Sequence, residues 1–526
     1  MIVNKNIKII LFIFLLCVFG ILGYYSVITS NYRTAKQILI NDINIEELKK
    51  SLDEESKLNV ELKINKDNTY YNDVEDAYFY CLDVNDANSY KNLNLKIHSK
   101  EKYKYVILNE NYDKEKGFFI DFNIPVDLII YNDEVYYQTQ IKFRNVPIVN
   151  IITDHQFVRE YQGMKLQFFG PNPNNKEKML LTESYTQLKV RGGTSFVFPK
   201  QQYKISLTQE DMEKKSKISL FGMNADEDYI LDAMWNDYSK IRTKLSFELW
   251  NQMSSHNVNY GQFDYDAEYV ELYINQEYNG LYMLKEFIDW RMLGVNKFTE
   301  ENSGIVLKGN GYAKWDQALY DQDKNTDFVL GFSMKYPSNK SDYSKYWDFM
   351  MDKIYTEFYD RDNVTEEYIL ENFDLENYID YKIFIHIICG NDNFGLNNVY
   401  CYIKSMNEGN KIKLVPWDLD MTWGYDWSGE KPTLLYEESE TIYKVDGLLT
   451  NSENINNALR KRYFELRDSV LSIDNVFNII DTNYETLKYP IKSDSDKWLD
   501  TDLDIEVNKL KDWYKKRVEF LDEYLQ

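Results

Sequence analysis

Asp392 and Asn397 stand five residues apart, and Asp418 and Asp420 follow one hairpin later, framed by Trp417 and Trp423. Between the two groups run two short apolar stretches, residues 399–403 and 411–415, joined by Asn407-Glu408-Gly409-Asn410, a strong turn signal. A hairpin returns its ends to one edge, so Asp392, Asn397 and Asp418 are expected to converge. Two carboxylates and an amide oxygen at one point are hard donors, suited to Mg or Mn. In a chain with 85 Asp and Glu, ordinary acidic turns give the same spacing, so spacing alone leaves both readings open.

The chemistry such a layout serves is phosphoryl transfer. In protein kinases an Asp and an Asn five apart sit on the catalytic loop, and a metal-binding Asp follows. A nucleotide also needs a turn and a cation for its phosphates. Arg191-Gly192-Gly193, with Lys204 inside the following strand, offers both. Paired glycines let backbone N–H groups approach a phosphate closely. The lysine side chain can reach α and β phosphates. A plain hairpin with an exposed lysine is the simpler alternative, since Gly-Gly does not match the longer glycine fingerprints. Glu248, on a helical stretch over residues 236–252 with Asp237 as its N-cap, is an acid that could pair with Lys204.

Composition bounds the rest. At 526 residues and 44% hydrophobic, the chain has material for two to four domains with packed cores. A net charge of −24 argues against a nucleic-acid partner, which needs a basic face, but leaves room for a local basic pocket. Four cysteines do not make a disulfide framework in a chain of this size. Cys389 and Cys401 read as small buried hydrophobes, and His386 as a core residue of the helix that leads into the first loop.

Lys5 and Lys8 precede an uncharged apolar run, residues 9–28, about the length that crosses a bilayer as a helix. A cleaved signal peptide has a shorter apolar core and a small-x-small site, which this run lacks. Residues 1–31 are therefore expected to be a single-pass membrane anchor with the main body extracytoplasmic. Residues 32–144 hold short strand-like segments separated by turns, as in a β-sandwich, after a short helix over 44–52. Strands continue to about residue 207, and after the helical stretch 236–252 a hairpin over 267–284 turns near Asn279-Gly280. From about residue 340 the chain reads as helical. A helix over 375–389, capped by Asp374, delivers the chain into the loop that carries Asp392.

Four stretches now stand together in order: VPIVNIITD, VRGGTSFVFPKQQYKISL, YVELYINQEYNGLYMLKEFID and GNDNFGLNNVYCYIKSMNEGNKIKLVPWDLDMTWG. From about residue 146 to the C-terminus the chain resembles the CotH family, bacterial spore-coat and surface proteins with an atypical protein-kinase fold. The family's arginine-glycine stretch with its downstream F-P-K and Tyr-Lys matches Arg191, Gly192, Pro199, Lys200 and Lys204. Its loop aspartate matches Asp392, and its P-W-D metal aspartate matches Asp418. The resemblance implies an α+β, two-lobed kinase-like domain over residues 145–526, with a strand-rich lobe over about 145–290 and a helical lobe over about 340–526. It implies transfer of the γ-phosphoryl group of ATP, with Mg or Mn, to serine residues of surface or spore-coat proteins. In that scheme Asp418 binds the metal with Asn397 as second ligand and Asp420 assisting. Asp392 orients the acceptor hydroxyl and takes its proton, Lys204 holds the α and β phosphates, and Arg191-Gly192-Gly193 covers them. The loop lacks the basic residue that ordinary kinases place before this aspartate. Two rivals remain: a non-catalytic module that binds a glycan or protein through Trp423, Tyr425 and Trp427, and transfer of AMP instead of phosphate.

Overall fold

The computed structural model of the protein describes residues 33–83, 93–108, 112–113, 117–118, 120–193, 195–256, 265–299, 302–311, 324–338, 340, 342–390, 392–393, 395–407, 409–425 and 447–526. The chain divides into two compact units, one of residues 1–153, 165–184 and 271–279, the other of residues 154–164, 185–270 and 280–526.

In the first unit, β1 Arg33–Thr34, β4 Val60–Ile64, β5 Asp67–Asn68 and β8 Leu95–Ser99 form a sheet in the order β1-β8-β4-β5. A second sheet runs through β2 Lys36–Ile38, β9 Lys104–Ile107, β12 Val126–Tyr131, β13 Val135–Arg144, β7 Ala77–Cys81 and β6 Tyr70–Asn72, in that order, with β3 Asp53–Glu54 beside β13. A small two-stranded sheet pairs β10 Tyr112–Asp113 with β11 Gly117–Phe118. Period-two alternation explains the sandwich. Leu62, Ile64, Leu95 and Ile97 from one sheet share a core with Tyr105, Leu128, Ile130 and Ile141 from the other. The outer face, Val106, Ile129 and Tyr131, is covered by Ile45 and Leu48 of the helix Ile45–Ser51, whose N-cap is Asn44, and by Leu52, its C-cap.

Seven strands follow in the ladder order β14-β15-β16-β17-β18-β20-β19, a closed barrel: β14 Ile148–Ile152, β15 Gln162–Asn172, β16 Asn175–Val190, β17 Tyr203–Thr208, β18 Asp228–Asp232, β19 Ala267–Ile274 and β20 Glu277–Glu286. The β19–β20 turn lies at Asn275-Gln276, both with positive φ, earlier than the expected Asn279-Gly280. Gly280 is instead a strand residue at φ +135°. A Cβ there would meet Asp494 Oδ1 at 2.7 Å and Trp498 Nε1 at 2.8 Å. Close approach, not a turn, requires that glycine.

The second unit adds a five-stranded sheet in the order β22-β23-β21-β24-β25: β21 Ile305–Gly309, β22 Phe328–Val329, β23 Phe332–Tyr336, β24 Val399–Ile403 and β25 Lys413–Pro416. Its helices include Arg242–Ser255, Ser344–Tyr359, Leu375–Ile387, Glu453–Arg467, Ile473–Leu487 and Leu503–Leu525. The helix expected over 236–252 starts later. The Asp237 carboxylate accepts the N–H of Ser239 (3.0 Å) and of Arg242 (2.8 Å), and Lys240 takes φ +59°, so a tight turn precedes the helix.

The protein is thus α+β, with many sheets. The expected membrane anchoring needs correction. Among the described residues no helix is long and apolar enough to cross a membrane, and the apolar run 9–28 lies outside those residues. Leu503–Leu525 has the length, but charged residues recur along it, such as Asp504, Lys509, Asp512, Arg517 and Asp522.

Candidate active site

The helix Leu375–Ile387 begins where the Asp374 carboxylate accepts the N–H of Asn377 (3.1 Å). It ends as Cys389 turns to φ +48° and Gly390 opens the loop. Asn393 then joins two loops. Its buried amide nitrogen donates to the carbonyl oxygens of Asn398 (3.2 Å) and Trp417 (2.6 Å), and Trp417 N–H donates to Asn398 O (3.0 Å). The same loop rests on β21, where Asn398 N–H donates to Gly309 O (3.2 Å). A Cβ at Gly309 would lie 1.5 Å from Leu396 O, so only glycine admits the loop there. Asn393→Ala would strand one buried carbonyl, Trp417 O, at a cost of about 1–3 kcal/mol, while Asn398 O keeps the Trp417 N–H. Denaturant unfolding of that variant should show a loss in this range, and an unchanged midpoint would mean the loops are held otherwise.

These bonds bring the two loops together. The Asp392 carboxylate accepts from Asn397 Nδ2 (2.8 Å) on one oxygen and from Asn398 Nδ2 (2.8 Å) on the other. Asn397 Nδ2 also reaches Asp392 O (3.0 Å), so its carbonyl oxygen is the end suited to a ligand. Asp418, at φ +60°, and Asp420 are half-buried. Burial, then the charge of Asp418, then that of Asp232, push the Asp420 carboxyl well above the usual carboxylate range, with Lys285 opposing.

Cations face these acids. Lys285, on β20, is buried and paired with Asp232 on β18, and its ammonium lies 5.4 Å from the Trp417 ring centre. Lys308, on β21, lies 6.0 Å from the same ring. Burial pushes the Lys308 ammonium down to about 8. Asp418 opposes that shift, and Arg191, Lys335 and Lys285 add to it. Arg191 is bonded to Gln202 through its N–H (3.0 Å) and its guanidinium (3.4 Å). Gln202 Nε2 donates to Ser195 Oγ (2.5 Å), which closes the turn over Gly192. At φ +111° a Cβ on Gly192 would fall 2.0 Å from that oxygen, whereas one on Gly193 would meet nothing within 4 Å.

Arg191, Lys285, Lys308, Asp232, Asp418 and Asp420 thus lie within electrostatic reach of one another. Lys204 is placed differently. Its ammonium lies 3.8 Å from Asp228 and 4.3 Å from the Phe287 ring centre. Glu248 lies near Lys244 (3.8 Å) and accepts from Asn483 (3.3 Å), so the Lys204–Glu248 pair is not formed. Lys308 and Asp232 carry no motif of their own, and Lys285 and Asn393 lie within the quoted stretches but are not singled out there. Trp423 and Tyr425, expected to be exposed for sugar stacking, are buried, and Trp427 lies outside the described residues. Cys389, Cys401 and His386 are buried, as expected.

Magnesium or manganese favours oxygen donors and keeps positions for water and phosphate. Among the described residues no three His, Cys, Asp or Glu side chains group closely enough to hold a metal alone. The donors at hand are Asp418, Asp420 and the Asn397 carbonyl oxygen, and burial first and the charge of Asp418 second raise the Asp420 carboxyl. These oxygen donors are of the type that such a cation takes.

Residues 188–521 match the family model described as CotH kinase protein. The chain is similar to the inner spore coat protein H of Bacillus subtilis (strain 168), with 22% identity over 302 residues, which covers 56% of this chain and 77% of that relative. With more than half of its length matched by the family model, the chain belongs to the CotH family.

Proposed function

We propose that the protein is a kinase of two-lobed architecture that transfers the γ-phosphoryl group of ATP to serine residues of spore-coat or surface proteins. The observation that carries this reading is a cluster of cations in a chain of net charge −24. The Lys285 and Lys308 ammoniums lie 5.4 and 6.0 Å from the ring centre of Trp417, the residue before Asp418, and Lys308 feels the charges of Arg191, Lys285, Lys335 and Asp418. A polyphosphate needs such cations, and acids beside them suit a divalent ion that bridges phosphate to protein.

In this mechanism Asp418, Asp420 and the Asn397 oxygen would hold Mg or Mn, which offsets phosphate charge when bound. Arg191 and the Gly192-Gly193 turn lie over the phosphates, and Lys285, oriented by Asp232, approaches the α and β groups. Lys204 stands farther along the same sheet face, at the position of phosphates or acceptor. Asp392, fixed by Asn397 and Asn398, accepts the proton of the serine hydroxyl.

Thermal unfolding of the full chain tests the reading. ATP with Mg or Mn should raise Tm, since a ligand at a hundredfold excess over Kd stabilises by about 2.7 kcal/mol. The same shift with EDTA present would rule out a metal-bridged site. Radiolabel from γ-labelled ATP should reach serine in coat proteins. Label from α-labelled ATP would mean AMP transfer.

A further inference from the structure

Lys308 stands apart from the other cations. Lys285 is committed to Asp232, Lys204 lies beside Asp228, and Arg191 is bonded to Gln202. Among the described residues the Lys308 ammonium has no hydrogen bond or ion pair. Yet it is half-buried, on the central strand of its sheet, paired across to Tyr400 on β24 and Ser333 on β23. Tyr400 in turn packs edge-on against Trp417 at 5.9 Å. The sheet face that carries Lys308 therefore ends at the residue before Asp418. A half-buried ammonium without a partner costs stability unless an anion joins it. The loop around Asp392, residues 390–396, holds no lysine or arginine of its own.

We infer that Lys308 is a catalytic residue that contacts the γ-phosphoryl group, a cation supplied by β21 where the loop supplies none. The inference rests on the nucleotide-binding reading above and deepens it. In the transfer, the acceptor hydroxyl oxygen forms a bond to the γ-phosphorus. The bond from that phosphorus to the β–γ bridging oxygen breaks, and its electron pair leaves with ADP. The hydroxyl proton goes to Asp392. Charge spreads over the equatorial oxygens of the moving group, and the Lys308 ammonium lies against them. Gly309, next in the chain, lets the Asp392 loop pack directly on this strand, which fixes the lysine relative to the loop.

The test titrates the full chain with Mg-ADP and with Mg-bound β,γ-imido ATP, and compares Lys308→Met and Lys308→Arg. The wild type should bind the triphosphate more tightly than the diphosphate. Lys308→Met should keep diphosphate affinity and lose that preference. Its kcat should fall about 100- to 1,000-fold, with Lys308→Arg recovering part of it. The unliganded Lys308→Met protein should melt no lower than the wild type, because a half-buried unpaired charge has been removed, a readout that a structural lysine would reverse. Retained triphosphate preference and turnover in Lys308→Met would overturn the role of Lys308 alone. A wild type that binds neither nucleotide would overturn the nucleotide-binding reading, and this inference with it.

Discussion

Asp418→Ala is expected to abolish metal-dependent nucleotide binding and, with it, all turnover. The side chain sits at φ +60° directly after Trp417, whose backbone is bonded on both sides to the Asp392 loop. No neighbouring acid can replace it. Asp420 is already held above the usual carboxylate range by burial and by like charge, and Asp232 is taken by Lys285. Asp392→Asn separates the two roles. It keeps the shape and leaves the metal donors intact, so Mg-ATP affinity should survive. It removes the proton acceptor, whose contribution is typically of order 10²–10⁴ in rate. Calorimetric titration with Mg-ATP beside a transfer assay reads both losses. Normal Mg-ATP binding by Asp418→Ala, or native turnover by Asp392→Asn, would show the assignment to be mistaken.

The second large effect concerns stability and lies away from the acids. Lys200 is buried and donates to Asp494 Oδ1 (2.7 Å) and to Leu281 O. The same carboxylate oxygen accepts Leu281 N–H (2.8 Å). Burial pushes the Lys200 ammonium down to about 8 in spite of Asp494. This pair therefore ties the segment just after the glycine turn to β20 and to the helix Pro490–Lys497. Lys200→Met should cost about 3–5 kcal/mol, because it leaves a buried carboxylate without its counter-charge. Replacing both partners, Lys200→Met with Asp494→Leu, should recover much of that loss, since the desolvation cost then disappears. Denaturant unfolding followed by tryptophan fluorescence suits the measurement, as Trp235 and Trp498 pack edge-to-face at 6.3 Å nearby. A loss below about 1 kcal/mol for Lys200→Met would mean that water or another group screens the pair.

Much of this protein was legible from local patterns. Alternation located β12 and β13, and the Asp374 cap located the helix into the site. The hairpin of β24 and β25 follows from two apolar runs and a turn, and its closing brings Asn397 and Trp417 to one edge. These are short-range properties, set by side-chain period and by caps, so neighbouring residues are enough to decide them. The expected helix start near residue 236 missed because a carboxylate bonding ahead in the chain, Asp237, made a turn first. The expected turn at Gly280 missed because a distant helix packs against it.

Which lysine meets which acid was a tertiary decision. Lys204 and Lys285 lie on the same face of the barrel, each paired across to Ile230. Nothing in their local sequence says that one lies beside Asp228 and the other meets Asp232. Strand register across β17, β18 and β20 decides it, over separations of dozens of residues. The same holds for Lys308, whose neighbours on β23 and β24 come from separate segments of the chain. Residue type and spacing named the acids, because a hairpin brings its own ends together. The cations come from two sheets, Lys204 and Lys285 from the barrel and Lys308 from the five-stranded sheet, and long-range register, not local sequence, sets the place of each within its sheet.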